Sequence, residues 1–169
     1  MMGFSLNTIK NLDIKERRVL IRVDYNVPVI DGVVADDLRI KASLPTIKYC
    51  LSHGSSVVLM SHLGRPNGKI VPAMSLDPIA FCLEDLIEKE VMFSGNCISE
   101  DAIELSQQMR PGEIHLLENL RFHDGETNND DGFSWFLSRH ADIYVNDAFG
   151  TAHRKHASNV GITKHVEAM

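Results

Sequence analysis

Val57-Val58-Leu59-Met60-Ser61-His62-Leu63-Gly64-Arg65-Pro66 decides how the rest of the chain is read. Its first four residues are an apolar run with two β-branched members, the pattern of a strand buried on both faces. At Ser61 the run passes abruptly into a polar loop with a backbone breaker, Gly64, and a fixed positive charge, Arg65. In a parallel sheet, ligands bind in the loops beyond the carboxyl ends of the strands.

The same arrangement recurs on either side. Val19–Val23 reads as a buried strand running into Asp24 and Asn26. Ile114–Leu117 leads into Glu118, Asn119 and Arg121, and Ile143–Val145 into Asn146, Asp147, Gly150, His153 and Arg154. A fifth short strand, Val91–Phe93, ends in Ser94, Gly95 and Asn96 without a charge and is expected to lie off the site.

Helical patterns separate the strands. Leu38 to Leu51 follows the turn signal Asp31-Gly32 and the acidic pair Asp36-Asp37, with Arg39 just inside the helix. Pro45 is expected to kink or divide it, and His53-Gly54 to stop it. Ser75 is placed to cap a helix through Ile87; residues 99–109 and 133–139 read as two more. The acidic, amide-rich stretch from Asp124 to Gly132 reads as a surface loop. Strands alternating with helices predict a doubly wound, Rossmann-like α/β fold, a mainly parallel sheet with helices on both faces, in a single lobe.

The bulk numbers agree with one domain and narrow the function. The chain has 169 residues, 44% hydrophobic and 24% charged. A net charge of −6 argues against a general nucleic-acid or membrane-surface binder. Cys50, Cys82 and Cys97 make an odd count without paired spacing, the usage of reduced thiols in a cytosolic protein. Met1–Asn7 lacks the basic and apolar regions of a signal peptide, and no run reaches transmembrane length.

Gathered at one sheet edge, the strand-end residues would form a pocket with four arginines: Arg39, Arg65, Arg121 and Arg154. Guanidinium forks match phosphate and carboxylate oxygens, and Asp24 and Asn26 add partners for a hydroxyl. The implied ligand is a small, phosphorylated, hydroxylated acid. Each residue also has a plainer reading, since a lone arginine after a strand is most often a surface ion pair. Arg22, inside a strand, is read as a structural ion pair and His115 as a satisfied sheet histidine. The aromatics of Phe133–Phe136 are read as core. His153 and His156 lack further ligands at zinc spacing, so no metal site is expected. The chain also lacks a Gly-x-x-x-x-Gly-Lys-Ser/Thr loop, a Gly-x-Gly-x-x-Gly fingerprint and a Gly-x-Ser-x-Gly elbow. Recurrence at four strand ends is what favours a site.

Four blocks then become recognisable. Arg22-Val23-Asp24-Tyr25-Asn26-Val27-Pro28 resembles the Arg-Val-Asp-Phe-Asn-Val-Pro signature of the phosphoglycerate kinase family, with tyrosine for phenylalanine. Ser61 to Pro66 is similar to the family's Ser-His-Leu-Gly-Arg-Pro loop. Glu118-Asn119-Leu120-Arg121-Phe122 resembles its Glu-Asn-Leu/Val-Arg-Phe block, and Asn146 to Arg154 matches its Asn-Asp-Ala-Phe-Gly-Thr-Ala-His-Arg block. The blocks stand in the family's order and span nearly the whole chain.

The resemblance implies a monomeric, cytoplasmic, glycolytic enzyme of two lobes. It would transfer a phosphoryl group between 1,3-bisphosphoglycerate and ADP, giving 3-phosphoglycerate and ATP with Mg2+. By resemblance, Asp24 and Asn26 would hold the substrate's hydroxyl end. His62, with Leu63, Gly64 and Arg65 of the same loop, would bind the substrate, and His62, Arg65, Arg121 and Arg154 would surround its phosphate. Arg39 would contact the carboxyl end and act as the catalytic residue on the transferring group. The family's nucleotide-binding lobe, which takes ATP or ADP with Mg2+, and its returning C-terminal tail have no counterpart up to Met169. Residues 1–169 are therefore expected to be the N-terminal, 3-phosphoglycerate lobe, inactive alone, with exposed apolar area that favours self-association. The alternatives are a stand-alone binding module for a phosphorylated acid and a structural interaction protein.

Overall fold

The computed structural model describes residues 8–168; Met1–Asn7, read above as lacking a signal peptide, lie outside them. The strands are β1 (Arg18–Arg22), β2 (Val29–Ile30), β3 (Val33–Val34), β4 (Ser56–Met60), β5 (Val91–Ser94), β6 (Ile114–Leu117), β7 (Ile143–Asn146) and β8 (Glu167–Ala168). The helices are α1 (Leu38–Ser52), α2 (Asp77–Ile87), α3 (Glu100–Gln107), α4 (Asp124–Thr127) and α5 (Asp131–Ser138), with short 3-10 turns between elements.

Six strands form one sheet in the order β5-β6-β4-β1-β7-β8, with every neighbouring pair parallel. Alternating side chains explain why the strands read as continuous apolar runs. Val19, Ile21, Val57 and Leu59 face one core, closed by Ile40 and Ile47 of α1 and Ile79 and Leu83 of α2. Leu20, Val58, Met60 and Tyr144 face a second core, closed by Phe133 and Leu137 of α5 and by Ala157 and Ile162. Both faces are therefore covered, as a parallel sheet requires. Truncating a side chain such as Leu59 to alanine costs about 2–5 kcal/mol in cores of this kind. From β1 the chain passes to β4, then to β5 at the sheet edge, returns to fill the gap with β6, and crosses to β7 on the other flank of β1. That reversal opens a crevice at the carboxyl ends of the central strands.

Several expectations are corrected. Pro45 does not divide α1, which runs unbroken from Leu38 to Ser52. Pro45 and Lys41, whose carbonyl would have received its missing N–H, are both exposed, so the helix loses that bond on its solvent side. The turn expected at Asp31-Gly32 is present, and it closes a small antiparallel hairpin, β2–β3, with φ of 50° and 75° suited to its tight turn. Ser75 stands one residue before the N-cap position, where its Oγ accepts the Asp77 N–H at 3.2 Å. Residues 124–132 are not simply a surface loop, since they contain α4 and the buried Glu126. Phe133 is core, but Trp135 is 47% exposed and stacks beneath the Arg139 guanidinium at 5.2 Å.

Candidate functional site

The loops after β1, β4, β6 and β7 meet at one end of the sheet. The loop after β4 is held first. Ser61 Oγ accepts the Tyr25 N–H at 2.9 Å, and the Leu120 N–H donates to Ser61 O at 3.1 Å. Gly64 adopts φ 65°, and a Cβ there would press on Met74 Sδ at 3.0 Å. Its N–H donates to Asn26 Oδ1 at 3.0 Å, and its carbonyl accepts from Arg121 Nη1 at 3.2 Å. One glycine thus ties three of the four loops or their side chains together.

The result is a cleft of about 290 Å3 lined by Asp24, Asn26, Arg39, His62, Gly64, Arg65, Arg121, Gly150, Thr151 and Arg154. It adjoins a second hollow of about 320 Å3 that shares Arg65, Arg121 and Arg154 and adds Asn67, Gly68, Thr127 and His156. Arg39, the second residue of α1, donates from Nη1 to Asn26 O at 2.8 Å and to Asp24 Oδ1 at 3.3 Å. That arginine and Asp24 therefore share one wall of the cleft. Leu63 is buried and turns away into the core; its carbonyl accepts from Asn119 Nδ2 at 2.8 Å.

Two strand-end residues do structural work away from the cleft. Buried Glu118 accepts from Ser75 Oγ at 2.7 Å, Leu76 N at 2.8 Å and Asn119 N at 2.7 Å, fixing the start of α2. Asn119 clamps Leu63 O and Met74 O. Asp147 lines a small neighbouring hollow with Asp24, Arg39 and Ser43, and burial raises its carboxyl above the usual range. β5 lies at the sheet's edge, and none of its residues lines either hollow.

Arg22 is a correction. Its guanidinium is buried and makes no ion pair among the described residues. It donates instead from Nε to Ser158 Oγ at 3.0 Å, from Nη1 to Ser61 Oγ at 3.2 Å and to Val23 O, and from Nη2 to His62 Nδ1 at 2.7 Å. A guanidinium has no acceptor, so His62 Nδ1 must accept and its proton must sit on Nε2. Burial, then Arg22, Arg121 and Arg154, pull the His62 pKa down to about 2. His62 therefore offers the cleft a neutral N–H donor rather than a positive charge. Burial likewise lowers Arg121, as does the nearby Arg154. The sequence reading does not single out Thr151, which lies within the last site loop and lines the cleft wall, nor His156, two residues beyond Arg154 in the adjoining hollow.

Four guanidiniums, a neutral imidazole donor and an Asp–Asn wall suit an oxyanion carrying a hydroxyl. With the crevice at the carboxyl edge, the fold and site define an open, parallel α/β protein with an oxyanion cleft. The family profile described as phosphoglycerate kinase matches residues 9–169. The chain belongs to the phosphoglycerate kinase family. The phosphoglycerate kinase of Moorella thermoacetica is 50% identical over 161 residues, covering 95% of this chain and 41% of that protein. That of Finegoldia magna is 50% identical over 159 residues, covering 93% and 40%. The solved phosphoglycerate kinase of Coxiella burnetii superposes with a TM-score of 0.83 at 35% identity, covering 95% of this chain and 39% of that one. The Pyrococcus horikoshii enzyme gives a TM-score of 0.86 at 31% identity, covering 95% and 41%. The chain thus spans about 40% of the length of the curated relatives it matches.

Proposed function

We propose that this chain supplies the phosphoglycerate-holding half of a phosphoglycerate kinase, which passes a phosphoryl group between 1,3-bisphosphoglycerate and ADP to give 3-phosphoglycerate and ATP. The observation that carries the reading is the single cleft where Arg39, Arg65, Arg121 and Arg154 face Asp24 and Asn26 in a member of this family. In it Arg65, Arg121 and Arg154 take the distal phosphate, with His62 Nε2–H as a neutral donor. Asp24 and Asn26 hold the hydroxyl. Arg39, exposed and tethered among the described residues only to Asp24 and Asn26 O, is free to turn to the carboxyl end and neutralise charge on the transferring group.

The Mg2+ of the reaction does not fit this chain's donor set. Among the described residues no three His, Cys, Asp or Glu side chains converge as a metal ion would require. No step is assigned to it or to the ATP or ADP here, and we place their site on a second lobe of the whole protein. No helix of the described residues is long and apolar enough to cross a membrane. We read the whole protein as a cytoplasmic monomer.

Isothermal titration of the 169-residue chain with 3-phosphoglycerate tests the reading. Binding is expected, weakened about tenfold or more by Arg65→Ala or Arg121→Ala, because each removes a charge-assisted contact worth roughly 1.5–3 kcal/mol. Equal affinity in both variants would overturn the cleft assignment. Substantial turnover by the chain alone, given ATP and Mg2+, would sink the claim that it is half of the catalytic apparatus.

A further inference from the structure

Glu126 is buried, at 1% exposure, in a stretch that reads as a solvated acidic loop. It takes part in no ion pair among the described residues, although arginines surround it. Its Oε1 accepts the Ser158 N–H at 2.8 Å, and its main-chain carbonyl accepts the Ala157 N–H at 2.9 Å. Its Oε2 has no hydrogen-bond partner among the described residues. A carboxylate left in that state is costly unless nearby cations offset the burial. Here the cations are those of the cleft. The Glu126 charge acts on Arg22, Arg121 and His156, in each case favouring the protonated form.

The bonds form a directed path. Glu126 grips residues 157 and 158, just beyond Arg154 and His156 of the cleft. Ser158 is fixed a second time, its carbonyl accepting from Tyr144 Oη at 2.6 Å. Ser158 Oγ then accepts from Arg22 Nε, and Arg22 Nη2 donates to His62 Nδ1. The path ends on the atom that decides which nitrogen of His62 carries its proton.

We propose that Glu126 is a positioning residue of the cleft: through Ser158 and Arg22 it holds His62 as the Nε2–H tautomer facing the ligand, and its buried charge offsets the cluster of guanidiniums. The role rests on the reading of the cleft as the phosphoglycerate site. Its first consequence, the tautomer, does not need that reading.

The test uses nitrogen NMR of the histidine side chains together with titration by 3-phosphoglycerate and, separately, by inorganic phosphate. In the unmodified chain His62 is expected to show one pyrrole-type Nε2 and one pyridine-type Nδ1. Glu126→Ala frees residues 157–158 and should give averaged His62 nitrogen shifts and binding weaker by about tenfold. Glu126→Gln keeps an acceptor for the Ser158 N–H and should restore the single tautomer. It should also bind phosphate several-fold more tightly, because a negative charge behind the cleft is gone. Ser158→Ala cuts the path one step later while leaving the Glu126 grip on the backbone, and should also average the shifts; it keeps the test open where Glu126→Ala does not fold. A single Nε2–H tautomer surviving in the folded Ser158→Ala chain overturns the proposal. So do averaged shifts in a folded Glu126→Gln chain. Failure of the unmodified chain to bind 3-phosphoglycerate counts against the proposed function and leaves the tautomer result to be judged alone.

Discussion

Lowering the pH from 7 to 5 should remove much of this chain's stability, and the cause is buried histidine rather than carboxylate. His115, on β6, and His140, just beyond α5, are joined in a one-way hydrogen-bond chain. His140 Nε2 must donate to Cys97 O, at 2.7 Å, so its Nδ1 accepts from Ser106 Oγ at 2.7 Å. Ser106 Oγ, its own proton used, accepts from His115 Nδ1 at 2.9 Å, and His115 Nε2 accepts from Ser94 Oγ at 2.7 Å. Each ring has one donor and one acceptor partner, and a second proton on either ring would point a donor at a donor. Burial pulls His115 down to about 3 and His140 to about 4; His62, beside Arg22, is at about 2.

The sign follows from linkage. These groups stay neutral when folded but take up protons near pH 6.5 when unfolded, so stability falls as the pH drops below 6.5 and levels only below the folded values. At pH 5 each histidine costs about 2 kcal/mol and the three together about 6 kcal/mol. A domain's whole stability is about 5–15 kcal/mol. His123 and His156, lowered by burial, act in the same direction, and Asp147, raised by burial, acts against it. Glu100, held low by its hydrogen bond to Arg139, loses its contribution only at more acid pH. Urea titrations followed by circular dichroism at pH 7, 6 and 5 should show unfolding free energy falling by up to about 4 kcal/mol per pH unit, the slope for three protons. His140→Gln should reduce that slope by roughly a third. A total loss below about 1 kcal/mol between pH 7 and 5, or an unchanged slope in the variant, would refute the reasoning.

Glu118→Ala should destabilise the chain by about 2–4 kcal/mol, since it leaves the buried Leu76 and Asn119 N–H groups and the Ser75 hydroxyl without their acceptor; a urea midpoint equal to that of the unmodified chain would remove Glu118 from the frame of α2. Gly161→Ala should cost about 2–3 kcal/mol, because the new Cβ meets buried Ser134 Oγ at 2.1 Å while that hydroxyl is bound to Asp130 O. Thermal melts that coincide would mean the Ser134 side chain yields freely.

What the sequence makes legible here is local. The strands of both cores are readable because Val57–Met60 and its neighbours are short apolar runs that stop at polar residues, and double-sided burial leaves that pattern. The cleft is readable because Arg65, Arg121 and Arg154 stand in the loops that follow those runs, with Arg39 at the start of α1. Strand β8 is two residues long and pairs with β7 alone, so Glu167-Ala168 carries no pattern to read. The charge state of the cleft is illegible for a different reason. His62 is neutral because Arg22, 40 residues away, donates to it in a buried setting, and Arg22 is placed by Ser158, 136 residues away. Glu126 looks solvated because its neighbours in sequence are acidic and amide-bearing, yet its contacts lie 32 residues on, at Ser158. Motifs therefore identify which side chains can face a ligand. Whether each arrives charged, neutral or spent on a helix cap, as Glu118 is, depends on burial and on partners that only the folded chain brings together. For this cleft that means three positions with one outwardly similar polar character reach three different ends: Arg65 lines the cleft, His62 offers it only a neutral donor, and Glu118 turns back to hold the fold.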